Sequence, residues 1–198
     1  MRLILHACLA IASALLAPTT AFAATLSFQV RGPDGQPLPG AVVTVEASGG
    51  GRVTPRGPYL MEQRDIQFQP HVLIVPVGAS VSFPNRDRVR HHVYSFSAPK
   101  RLNLPLYGRD ESHSVTFDRP GVVALGCNIH DAMSAFVFVT ATPFAAQSGA
   151  DGRVSFAAVP AGAATVRVWH PSIRARGNSM AQAFTVTAAD LASTLTVR

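Results

Sequence analysis

Cysteine is nearly missing from this chain: Cys8 and Cys127 are the only two among 198 residues. Cys8 sits in an apolar run, "LILHACLAIASALLA", that follows Arg2 and leads into "TTAFAA". A short basic start, an apolar stretch of this length, and small residues at Ala21 and Ala23 form the pattern of an export signal, residues 1–23, cut near Ala23. Removing it leaves Cys127 alone, so no internal disulfide can brace the exported chain. An unpaired cysteine there is an intermolecular partner, a reactive thiol or a ligand. Long apolar runs are absent after the signal, which excludes a helical membrane span and predicts a periplasmic or secreted protein. Acids are scarcer than bases, with Asp and Glu at 11 against Lys and Arg at 17. The basic excess is not gathered into a tail. An exported chain has little access to nucleic acid, so the charge suits an acidic protein partner or an anionic surface.

Long amphipathic helices are also missing. In their place come short segments rich in Val, Phe and Thr, among them "TLSFQV", "AVVTVEA", "HVLIVPV", "ASVSF", "HHVYSFS", "HSVTF", "GVVALGC", "AFVFVTA", "ATVRVWH" and "QAFTVTA". Turn clusters such as "GPDGQPLPG", "PNRD", "DRPG" and "GADG" separate them. This punctuation predicts an all-β protein of antiparallel sandwich type. The one helical candidate is a turn around "AADLAS". "GGGR" at 49–52 reads as a connector, and "TATPFAAQSG" at 140–149 as a second seam. The expected organisation is therefore 24–58, 59–140 and 141–198, with the outer two pieces forming one small sandwich around the middle block.

The middle block carries the chemistry. "LGCNIHDAMSAF" spaces Cys127, His130 and Met133 at intervals of three between two predicted strands. A loop can turn all three toward one point, whereas a strand would alternate their faces. Thiolate, imidazole and thioether, joined by a second imidazole, suit copper in a trigonal His2Cys set with a weak axial Met. Cys and His also bind zinc, and the thioether favours copper over it. The second imidazole is sought in "RHHVYSFS", where His91 and His92 are both available. His91 shares a strand face with Val93 and Ser95.

These residues resemble a known family. Residues 66–139 are similar to the cupredoxins, the plastocyanin and amicyanin class of blue copper proteins. Shared pattern residues are Phe68 and Pro70; Gly78, Val81, Phe83, Asn85 and Asp87; His91-His92-Val93; and Phe117, Asp118, Pro120 and Gly121. The Cys-x-x-His-x-x-Met spacing is that of amicyanin's loop. "HHVYSFS" and "GCNIHDAM" further resemble proteins labelled methylamine-utilisation or plastocyanin-like. The resemblance implies a Greek-key sandwich with one type 1 copper held by His91, Cys127, His130 and Met133. It implies single-electron transfer between redox partners and no enzymatic turnover. The family commonly has Asn after the upstream ligand, bonded to the polar residue after the cysteine. Here those positions are His92 and Asn128, so His92 is expected to bond Asn128 or to join the metal. The outer pieces, "VRGPDGQPLPGAVVTVEA" and "GADGRVSFAAVPAGAATVRVWHP", resemble carboxypeptidase-regulatory or transthyretin-like sandwiches.

Competing readings stay open at this point: copper delivery, storage or sensing, and a structural or adhesion β-protein without metal. Arg86, Arg88, Arg90, Lys100 and Arg101 offer either a solvated basic edge or a docking rim for an acidic redox partner. His71 reads as a strand-end residue, His113 as solvated, His170 as part of the outer sandwich, and Trp169 as core.

Overall fold

The structure is a computed structural model and describes residues 23–198; the export signal and Cys8 fall outside those residues. The chain opens with β1 (Ala23–Arg31) and β2 (Val42–Ala47). Ten strands follow: β3 (Tyr59–Leu60), β4 (Glu62–Arg64), β5 (Gln67–Gln69), β6 (Val72–Pro76), β7 (Ala79–Pro84), β8 (Tyr94–Ser95), β9 (Leu102–Asn103), β10 (Ser112–Phe117), β11 (Gly121–Gly126) and β12 (Ser134–Thr140). The last five are β13 (Phe144–Gln147), β14 (Arg153–Pro160), β15 (Gly162–Trp169), β16 (Ser179–Val186) and β17 (Leu191–Thr196). Among the described residues the only helical turn is a 3-10 turn at Arg176–Asn178.

Pairing sorts these strands into two groups. β14-β1-β17 and β13-β2-β15-β16 form one pair of sheets, while β10-β7-β3, β6-β12-β11-β8-β9 and the hairpin β4-β5 form the other. The first group is built from both ends of the chain, and the second from the stretch between β2 and β13. Each has its own core because each strand presents apolar residues on one face. In β1, Leu26, Phe28 and Val30 point into a core with Val43, Val45, Phe156, Val166 and Ile173. In the middle block, Val81, Phe83, Phe117, Val123, Val137 and Val139 close a second core that also contains Cys127 and Met133.

Two expectations need correction. "AADLAS" forms a bend and the start of β17, where Asp190 Oδ1 accepts the Thr25 N–H at 2.7 Å and β17 aligns parallel to β1. That ladder satisfies backbone groups that a short, unsupported helical turn would leave open. The sheets are also mixed, since β1/β17, β6/β12 and β3/β7 all run parallel. Parallel pairs need connections that cross between sheets, which short-range patterns do not reveal.

A third, small cluster joins the two groups. Val42 and Trp169 from the outer sandwich meet Phe138, with Val72, Ile74, Val122 and Phe136 packed around them. Trp169 lies 5.1 Å from Phe136 and 5.8 Å from Phe138, centroid to centroid. Gln147 Nε2 donates to the Val72 carbonyl at 2.9 Å beside it. Truncating a buried aromatic in such a place costs about 3–5 kcal/mol. Trp169→Ala is therefore expected to lower the urea midpoint of unfolding followed by circular dichroism. A midpoint equal to the parent's would mean that this cluster does not hold the two sandwiches together.

Candidate metal centre

His91 reaches its position through a fixed register. Its N–H donates to the Tyr107 carbonyl at 3.0 Å, and its carbonyl accepts the Tyr107 N–H at 3.1 Å. Alternation then buries His91, Val93 and Ser95, while Tyr94 and Phe96 face outward. Cys127 follows directly on β11, and a turn closed by the Met133 N–H on the His130 carbonyl at 2.9 Å returns the chain to β12. Ligand-type atoms of His91, Cys127 and His130 consequently lie within 4.8 Å of one another. An ion sits about 2.0 Å from a nitrogen donor and about 2.3 Å from sulfur, so three donors gathered this closely can be drawn onto one ion by side-chain adjustment.

The donor chemistry fits a metal. His91 is fully buried, Cys127 is 5 % exposed and has no disulfide partner, and His130 is half-buried. The Nδ1 atoms of both His91 and His130 are buried without a hydrogen-bond partner. An unsatisfied buried polar atom costs about 1–3 kcal/mol, so two of them beside a lone thiol ask for a shared partner. Their rings stand 5.1 Å apart at 63°. Met133 is 2 % exposed and belongs to the same core as Cys127.

Asp87 fixes the His91 ring. His91 Nε2 donates to Asp87 Oδ2 at 2.8 Å, which leaves Nδ1 of the neutral ring as a bare lone pair. The same carboxylate accepts the N–H groups of Asp65 at 2.8 Å and Ile66 at 3.0 Å. Those residues form the two-residue loop between β4 and β5, with φ of 54° and 56°. Both-positive φ is the geometry of a tight hairpin, but a β-branched Ile adopts it only at a cost of about 1–3 kcal/mol. Asp87 thus binds a strained hairpin tip and a site histidine through one carboxylate. Burial raises its pKa, but the bonds from the Ile66 N–H, the His91 ring and the Asp65 N–H together hold it below the ordinary 3.8.

Asn85 and Tyr107 support the same loop. Asn85 Nδ2 donates to the carbonyls of Val89 and Tyr107, and its Oδ1 accepts the Asp87 N–H at 2.8 Å. The Tyr107 hydroxyl donates to the Phe83 carbonyl at 2.7 Å and also bonds Gln63. Burial pushes its pKa up to about 12, opposed by the Gln63 bond and reinforced by negative charge at Cys127. Gln63 and Tyr107 were not singled out from the sequence, because nothing in their local pattern marks them.

His92 departs from expectation. Its Nε2 bonds Asn103 Oδ1 at 2.8 Å and its ring stacks on Tyr94 at 5.7 Å, while Asn128 is exposed and bonds no side chain. Alternation puts His92 on the outer face of the sheet, where the partner strand β9 offers Asn103 first. Of the basic residues, Arg86 is engaged by Glu62 and Asp110, and Lys100 by Asp118, whereas Arg90 donates to the Leu106 carbonyl. Arg88 and Arg101 are exposed without such a bond. His113 is half-buried, edge-on to Tyr107 at 4.7 Å, and is not simply solvated. His71 is exposed with its ring against Phe136; His170 bonds Ser172, and burial followed by the nearby His71 lowers its pKa.

Losing a partner that orients a ligand histidine weakens metal binding about 10- to 100-fold. Asp87→Asn is expected to do this in a metal titration, and unchanged affinity would remove Asp87 from the site. The pH dependence has a definite sign. A carboxylate with a depressed folded pKa contributes its stability above the unfolded value and loses it as pH falls through the folded one. The stability gap between the parent and Asp87→Asn should hold steady above pH 3.8 and shrink below it.

No family model matches the chain, and no curated protein matches it. Solved structures do. A reduced amicyanin variant aligns at 21 % identity over 50 % of this chain and 98 % of its own, with a TM-score of 0.40. A purple cupredoxin from Nitrosopumilus maritimus aligns at 22 % identity over 42 % of this chain and 100 % of its own, with a TM-score of 0.39. A copper-containing nitrite reductase from Thermus scotoductus aligns at 25 % identity over 57 % of this chain but 28 % of its own, with a TM-score of 0.41. The middle block is a β-sandwich with β3 parallel to β7, β6 parallel to β12 and a His-Cys-His group at one end, and these copper proteins are among the solved structures it is similar to.

Proposed function

We propose that this chain is an exported single-electron carrier with one copper ion held by His91, Cys127, His130 and Met133. The observation that carries the reading is the gathering of His91, Cys127 and His130 ligand atoms within 4.8 Å, with the Nδ1 atoms of both histidines buried and unpartnered. Copper supplies one-electron exchange between two oxidation states when bound. Met133, buried in the same core as Cys127, favours copper over zinc as the fourth donor.

The remaining work falls to the protein. Asp87 holds the His91 ring in the tautomer that leaves Nδ1 free. The apolar core that Cys127 and Met133 share with Val93, Val123, Leu125, Ala135 and Val137 would limit water access and rearrangement when charge changes. His130, half-buried where His91 is fully buried, is the more accessible imidazole. No substrate is transformed in this reading. Copper delivery or sensing drew on His92 as a spare ligand; its Nε2 is bonded to Asn103 and its ring stacks on Tyr94, its Nδ1 is left without a partner, and it is not among the three residues whose ligand atoms gather.

One equivalent of Cu(II) should give an intense thiolate-to-copper absorption band and narrow copper hyperfine splitting in EPR. Cys127→Ser should abolish both. A weak, ordinary Cu(II) spectrum would reject the type 1 centre, and absence of copper uptake would reject the metal.

A further inference from the structure

The strand that buries His91 carries a second set of residues on its other face. His92, Tyr94 and Phe96 form a row, with ring centroids 5.7 Å apart between the first two and 5.3 Å between the last two. Phe96 is 77 % exposed, far more than the other large apolar side chains left on the surface. Single exposed apolar residues need no explanation, but a ring at the end of an ordered aromatic row beside a redox site does.

The row touches the cysteine segment. Gly126 pairs with Tyr94 across β11 and β8. A Cβ at Gly126 would stand 2.7 Å from Tyr94 Cζ and 2.8 Å from its Oη, which no real side chain tolerates. The missing side chain immediately before Cys127 is what lets the Tyr94 ring lie against the backbone that leads to the thiol. Through Tyr94, its middle member, the aromatic row thus meets the residue before Cys127, and it ends in solvent at Phe96.

Its surroundings are basic. The Phe96 loop is pinned by Ser97, whose Oγ accepts the Ala124 N–H at 3.0 Å. Arg101 stands one step beyond the Ser95↔Leu102 pair and so opposite Phe96. Lys100 and Arg119 adjoin the same loop through Asp118, the single acid in this group. The sheet face is continuous with the interface to the outer sandwich, where Val42 and Trp169 cover Val122, Phe136 and Phe138. One half of the face is thus already an interface, and the half bearing Phe96 is open.

We propose that Tyr94, Phe96, Lys100, Arg101 and Arg119 form the docking surface for an acidic redox protein, separate from the His130 end of the block. This rests on the electron-carrier reading for the partner's redox character. With copper bound and reduced, Cys127, the Gly126 backbone and Tyr94 would offer the path by which one electron leaves for the partner's oxidised centre, which would be reduced by one; no bond would form or break and no proton would move. Phe96 supplies the apolar contact, while the cations speed encounter without requiring a large interface.

The test is an amide NMR map of the full chain, copper(I)-loaded and again metal-free, with two probes. Hexacyanochromate(III), a paramagnetic trianion, is expected to broaden residues 94–101, 119 and 124, and Arg101→Glu to remove that broadening. An acidic c-type cytochrome is expected to shift the same residues, and Phe96→Ala, at a site too exposed to affect folding, to weaken those shifts about tenfold while sparing the anion map. Effects centred on 86–90 or on 129–131, or no localised effect, would overturn the proposal. The metal-free map stands apart from the copper reading: absence of a thiolate band alongside an intact map at Phe96 would reject electron transfer and retain the docking surface.

Discussion

A single carboxylate ties the site to the fold. Asp87 receives His91 Nε2 and the N–H groups of Asp65 and Ile66, so one buried-edge charge fixes an imidazole and closes a hairpin whose tip is strained at a β-branched residue. Charge-assisted bonds of this kind are about twice as strong as neutral ones. Three of them on one group offset the desolvation that would otherwise raise its pKa. Asn85 repeats the logic one layer deeper: its amide ties the Val89 and Tyr107 carbonyls to the backbone of Asp87. The end of the block that gathers His91, Cys127 and His130 is thus a network of local polar bonds lying over an apolar core. This arrangement fixes geometry before any ion arrives.

The two-core organisation has a physical reason too. The chain leaves the outer sandwich after β2 and re-enters it at β13, which pairs directly with β2. Thr142 secures the return, accepting the Phe144 N–H and donating to the Val45 carbonyl at 2.6 Å. An insertion closed this tightly fixes where its ends lie, though the contact between the two bodies still depends on side chains. Val42 and Trp169, on adjacent strands of one sheet, meet Phe136 and Phe138 of the other.

Much of this was legible in the sequence, and the reasons differ by level. Strands such as β7, β11 and β12 announce themselves through alternation and flanking turns. The Cys127, His130 and Met133 loop announces itself through donor types and spacing. Short elements without a pattern, β3, β5 and β9, were invisible because two or three residues carry no period. The parallel pairs were missed because crossovers leave no local signature, and "AADLAS" was misread because a turn of helix-forming residues was outcompeted by pairing with β1. Asp87 appeared only as one residue of a family pattern; its carboxylate role depends on a hairpin tip twenty-one residues away in sequence. His92 was paired with the wrong asparagine because the register of β9 could not be inferred.

That register decides which of the two histidines joins Cys127 and His130. Reciprocal bonds between His91 and Tyr107, and the Leu104 N–H on the Val93 carbonyl at 2.9 Å, hold the strand against its neighbour. Gly126 accommodates Tyr94 on the opposite side. A slip of one residue would invert every face, burying His92 and Tyr94 and expelling His91 and Val93. It would also break the Asp87 bond, since only His91 lies within its reach in the observed register. The adjacent histidines are therefore not interchangeable. One is committed to the interior by the carboxylate behind it, and the other is committed to the surface by Asn103 and by an aromatic row that an interior position could not contain.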